Sequence, residues 1–264
     1  MSLQTITGKR VGDTYYKLEH PSGLTVFIYP KENSNSTYAV FGTNYCSVYN
    51  QFGRSDEDTV HRVPDGIAHF LEHKLFESED GDAFARYAKT GASANAYTSF
   101  DMTCYLFSCT ENVEASLEIL LDFVQSPYFT EQTVQKEQGI IGQEIRMYDD
   151  DPQWRVMFNL LGALYHTHPV KIDIAGTVES ISHITPELLY QCYHTFYDLH
   201  NMALCVAGNI DKETVLKLVD QYCKPAEPFA VDRVFEEEPR SVVKNKVTQA
   251  LSVATPLFQF GFKE

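Results

Sequence analysis

The stretch that most constrains this chain is residues 65–77, Asp-Gly-Ile-Ala-His-Phe-Leu-Glu-His-Lys-Leu-Phe-Glu. Ile67, Ala68, Phe70, Leu71, Leu75 and Phe76 leave almost no solvated face, which is the pattern of a helix buried all round. Asp65 follows Pro64 and is placed to cap that helix at its N-terminus. His69, Glu72 and His73 then stand at i, i+3 and i+4, so they share one edge and project into one small volume. Burying three ionisable groups together costs several kcal/mol unless something pairs with them. A fold that keeps this helix inside must therefore bring a partner to that edge, and a divalent cation suits two imidazoles one turn apart.

The order of the three residues carries chemistry. In H-x-x-E-H two histidines can bind Zn²⁺ through neutral ring nitrogens and leave the glutamate beside them free to deprotonate water. This is the inverzincin arrangement, the reverse of H-E-x-x-H. Two helix histidines satisfied by backbone or water are the bland alternative, and only the rest of the chain decides between the two.

Alternation or apolar runs on either side of His20-Pro-Ser-Gly23 predict a hairpin of strands at 14–19 and 24–30. A strand over 37–49 is expected to be central and covered on both faces, with Gly53 to Thr59 as an acidic loop after it. Beyond the motif, Gly81 to Lys89 reads as a short helix closed by Thr90-Gly91. Residues 92–108 read as a hairpin turning near Phe100-Asp101, its first arm so poor in large apolar residues that it suits a sheet edge. A helix over 111–125 follows, and Thr130 caps a longer one over roughly 131–148. On the core stripe of that long helix, positions 134, 137, 141, 144 and 148 read Val, Glu, Ile, Glu, Tyr. Glu137 and Glu144 thus stand where packing asks for aliphatics, two turns apart on one side. The motif helix lacks an anionic ligand, and this helix has one to offer.

Helices at 152–164, 186–197 and 211–222 and a strand at 201–207 complete the mixed pattern. Pro225, Pro228, Glu236 to Glu238 and Pro239 mark residues 225–246 as a linker. Residues 247–264 are strand-like, and a lone strand has nothing of its own to pair with. Residues 1–224 are accordingly expected as the zinc-binding domain, and 247–264 as the first strand of a second domain.

The charge of −15 argues against nucleic acid and against an anionic membrane surface as partners. No stretch approaches the roughly 18 consecutive apolar residues of a membrane helix. Six cysteines without C-x-x-C or zinc-ribbon spacing, several inside apolar segments, point to reduced thiols and a cytoplasmic location. His166 and His168 form an H-x-H pair beside Pro169 and are read as structural. Tyr190, Tyr193, Phe196 and Tyr197 form an aromatic helix face read as core.

Taken jointly, His69-x-x-Glu72-His73, the downstream Glu137 and Glu144, the stretch Gly91-Ala-Ser-Ala-Asn95-Ala96-x-Thr98 and the linker with its following strand resemble the pitrilysin/insulinase family of zinc peptidases, nearest its small bacterial cytosolic members. The resemblance covers nearly the whole chain. It implies an α+β half, a mostly antiparallel sheet with helices on one face, repeated in a second homologous half so that the two close around a peptide. It implies one Zn²⁺ held by His69, His73 and Glu144, with Glu72 as general base and Glu137 as a carboxylate that orients a ligand or the water. Asn95, Ala96 and Thr98 fall where the family holds substrate backbone by strand addition. The expected activity is that of a zinc endopeptidase acting on peptides or unfolded segments, working as a homodimer or with a homologue. The rival is a non-hydrolytic scaffold or binding subunit of the same fold that serves a catalytic partner. A purely structural zinc site would have no use for Glu72 beside the open position.

Overall fold

The hairpin around Pro21-Ser-Gly23 forms part of the main sheet in a computed structural model that describes residues 2–10, 12–79 and 81–263. In chain order the elements are β1 (Ser2–Thr7), β2 (Thr14–Glu19), β3 (Thr25–Pro30), β4 (Thr37–Thr43), β5 (Gln51–Arg54), β6 (Val60–Arg62), α1 (Ile67–Leu75), β7 (Glu77–Ser78), β8 (Gly81–Asp82), α2 (Ala83–Thr90), β9 (Ser93–Thr98) and β10 (Thr103–Cys109). There follow α3 (Val113–Phe123), α4 (Glu131–Asp149), α5 (Pro152–Leu164), α6 (Val178–Ser182), α7 (Pro186–Phe196), β11 (Met202–Gly208), α8 (Lys212–Tyr222) and β12 (Val231–Arg233). The large sheet runs β1-β2-β3-β11-β4-β10-β9, antiparallel at every step except β3 beside β11. The expected α+β class holds, with helices packed on one face.

Strand alternation explains that one-sidedness. Val26, Ile28, Ala39, Phe41, Tyr105, Phe107, Leu204 and Val206 are fully buried under the helices. The opposite face, with Phe27, Tyr38, Val40 and Cys205, carries no helix among the described residues, and Tyr38 is 47% exposed. The expectation that β4 would be covered on both faces is corrected here: only its odd-numbered residues meet the core, and the strand ends at Thr43. The edge arm was read correctly, because β9 closes the sheet with only β10 beside it.

A second correction concerns the start of the motif helix. Its N-cap is Gly66, at φ 89° and without a side-chain cap. The Asp65 carboxylate instead accepts from Asn50 Nδ2 at 2.8 Å. The cause is tertiary: Gly66 and Gly176 (φ 74°) back onto each other's turns, and a Cβ on either would collide with the carbonyl of Ala175 or Asp65 respectively. Ser180 Oγ donates to the Asp65 carbonyl at 2.8 Å and closes the clamp.

By contrast, α4 is capped locally as expected, with reciprocal bonds between Thr130 and Thr133. The chain after β12 forms neither helix nor strand over residues 234–263. Glu238 anchors it to the backbone amides of His166, Thr167 and His168 at 2.8, 2.7 and 2.7 Å. Lys263 pairs with the same carboxylate. The expected strand from Val247 onward has no neighbouring strand to pair with among the described residues.

Candidate metal and catalytic site

Two helices of opposite character meet at the site. Apart from half-buried His73, every residue of α1 is buried, packed beside β9 and β10 on one side and α4 on the other. Its one full cation, Lys74, is wholly buried and pairs with Glu77. The α1 edge carries His69, Glu72 and His73 towards α4, whose irregular stripe supplies Glu137 and Glu144.

The fold brings several of the residues singled out in the sequence together. Ligand atoms of His69, His73 and Glu144 all lie within 4.8 Å of one another, the one such group of His, Cys, Asp or Glu among the described residues. His69 Nε2 is 3.6 Å from Glu144 Oε1, and His73 Nε2 is 3.5 Å from Glu144 Oε2. Glu137 sits behind this group and contacts the other ring nitrogen of His73, Nδ1, at 3.0 Å. Glu72 is buried alongside and accepts from Thr98 Oγ1 at 2.7 Å. Asn95 is exposed at the edge, its Oδ1 accepting from the Ala96 amide at 2.9 Å.

The electrostatics follow from this packing. Burial pushes the Glu72 carboxyl up, only partly offset by the His69 charge, the Thr98 hydrogen bond and the His73 charge. His73 is pulled down by burial, but its contact with Glu137 and the charges of Glu72 and Glu144 outweigh that and leave it raised. Glu144 is held down at about 2, chiefly by His69, against burial and with help from Tyr148 and His73. Within the site, buried His69 Nδ1 has no hydrogen-bond partner among the described residues. Two imidazoles facing one ionised carboxylate form a donor set that suits a divalent ion such as zinc.

The site opens into a cleft of about 890 Å³ that includes β9 residues Asn95 to Thr98 and aromatic walls from Phe76, Phe84 and Trp154. Sequence reasoning gave no site role to Tyr148, whose hydroxyl donates to Glu144 Oε1 at 2.7 Å. It also missed Trp154, stacked on Tyr148 with ring centroids 4.6 Å apart, and Asp173, which accepts from Trp154 Nε1. Tyr148 stands one turn beyond Glu144 on the same stripe, and that spacing was the available signal. His166 and His168 stay outside the group; His168 stacks on Phe235.

Residues 54–178 match the model of Insulinase (Peptidase family M16), and residues 183–259 match that of the Peptidase M16 inactive domain. A Bacillus subtilis (strain 168) protein described as an uncharacterized zinc protease, YmfH, is 50% identical over 264 residues, covering 99% of this chain and 62% of that protein. A solved structure from Alicyclobacillus acidocaldarius, named as an M16-like peptidase, is 43% identical with a TM-score of 0.83, over 92% of this chain and 56% of that one. The first half of the Escherichia coli periplasmic protease PqqL shares the fold at a TM-score of 0.66 and 22% identity, covering 88% of this chain and 50% of that one. The chain thus spans between 50% and 62% of the length of these three relatives. No helix among the described residues is long and apolar enough to cross a membrane.

Proposed function

The chain belongs to the insulinase family, peptidase family M16, and on that premise we propose that it carries the zinc-binding half of a metalloendopeptidase acting on peptides or unfolded segments. The observation that carries this reading is the convergence of His69, His73 and Glu144 within 4.8 Å, with Glu72 buried at their side. These three residues would hold Zn²⁺, which when bound polarises the scissile carbonyl and makes water acidic near neutral pH.

The chain's own groups do the rest. Glu72, buried beside the three ligands, takes the proton of the attacking water and returns it to the leaving amine. Thr98 holds the Glu72 carboxylate through Oε2 and leaves Oε1 for the proton. Glu137 fixes the His73 ring by engaging Nδ1, so that Nε2 faces Glu144. The free edge of β9 offers main-chain groups to an extended peptide, which would replace the Asn95 contact to the Ala96 amide. A second homologous half closing over the cleft, in the same chain or in a homologous partner, belongs to this proposal, as does a cytoplasmic location, supported by six free cysteines.

The second reading, a non-hydrolytic binding subunit, draws on the match of residues 183–259 to the family's inactive domain. One substitution separates the two. Glu72→Gln is expected to keep bound zinc and to lower cleavage of an unstructured peptide by about a hundredfold or more, followed by mass spectrometry. Wild-type cleavage in that variant would overturn the assignment of the base, and zinc binding with no cleavage by either protein when the second homologous half is supplied would favour the subunit reading.

A further inference from the structure

Glu144 is the one member of the metal group that comes from the long, half-exposed helix, and its side chain, with one more rotatable bond than a histidine, has rotamer freedom to lose. Three residues from outside the motif remove that freedom. The Tyr148 hydroxyl donates to Glu144 Oε1 at 2.7 Å. Trp154, from α5, lies on the Tyr148 ring at a centroid distance of 4.6 Å and an interplanar angle of 18°. Trp154 is fixed in turn by its Nε1 bond to Asp173, whose Oδ1 also accepts from the Ala175 amide at 3.0 Å. Ala175 is the residue on which Gly66, at the head of α1, backs. The chain of contacts therefore begins at Glu144 and ends on the clamp that sets the histidine helix.

We infer that Tyr148, braced by Trp154 and Asp173, is a positioning residue that fixes the Glu144 carboxylate for a cation shared with His69 and His73. The inference rests on the proposed zinc site. It makes the aromatic pair, rather than the H-x-x-E-H motif alone, a determinant of metal affinity.

The chain contains a single tryptophan, so Trp154 emission reports on this site without a label. Zn²⁺ alone, titrated into the metal-stripped full chain, is expected to change that emission with a stoichiometric endpoint, and Glu144→Ala to abolish the change. Tyr148→Phe keeps the stack and removes only the hydroxyl, and competition against a chelator should show Zn²⁺ affinity reduced by about tenfold or more. Trp154→Phe, which keeps an aromatic surface and loses the bond to Asp173, should fall between Tyr148→Phe and wild type in the same competition assay. Wild-type affinity in both variants, in a chain that does bind Zn²⁺, would overturn the positioning role and leave the zinc site standing. A wild-type chain that binds no Zn²⁺ would remove both.

Discussion

Residues 65–76 and residues 234–263 are both irregular by local rules, yet they are held in opposite ways. The motif helix starts without a side-chain cap, and its shape is set by the glycine clamp and by burial on nearly every side. The later segment has almost no packing of its own: Phe258, Phe260 and Phe262 are 83%, 72% and 87% exposed. A few charged contacts tie it down, above all Glu238 to the His166–His168 amides and to Lys263. Core packing fixes a position cooperatively, with the stability of the whole domain behind it, whereas discrete polar ties open one at a time. The site's histidines lie in the first kind of region.

The sharpest way to break this contrast is Gly66→Ala. It forces a positive φ on an L-residue and drives a methyl group into the Ala175 carbonyl, so a global loss of about 3 kcal/mol or more is expected in urea denaturation. A loss below about 1 kcal/mol would show that the clamp yields and that the histidines are less rigidly set than described. The long helix α4 is the intermediate case, capped locally and half exposed. Thr130→Ala should cost about 1 kcal/mol through the lost cap, with little effect on the cleft.

Glu238→Gln should leave the unfolding midpoint nearly unchanged while hydrogen exchange quickens at residues 166–168 and 241–244. A large shift in the midpoint would mean that the segment is part of the core after all. Acid gives the same test without mutation. Burial raises the Glu238 carboxyl, but Lys263 and the three amides outweigh it and hold it well below the usual carboxylate range. A group depressed in the folded state contributes stability above its unfolded pKa, near 4.3, and that contribution is lost as pH falls below it. The protection factors at these residues, exchange corrected for its intrinsic pH dependence, should therefore fall between about pH 4 and pH 2 and stay flat from about pH 5 to 7.

Which parts of this were legible in the sequence follows the same division. Glu137 and Glu144 were visible because they interrupt an aliphatic stripe, and β9 because its small residues mark an edge. Tyr148 was hidden because a phenol on a core stripe also reads as packing, and Trp154 and Asp173 because only the tertiary path of α5 and its following loop brings them near. Asp65 was misread as a cap because a local rule was applied where a glycine pair distant in sequence decides. Short strands such as β5, β6 and β12 left little periodicity to read, since their pairing comes from each other.

The central claim is that His69, His73 and Glu144 hold one metal ion between two helices, and elemental analysis of the purified chain tests it most directly. Close to one zinc per chain is expected in the wild type, with its loss in both His73→Ala and Glu144→Ala. Zinc indifferent to Glu144, or none after reconstitution of a folded wild-type chain, would contradict it.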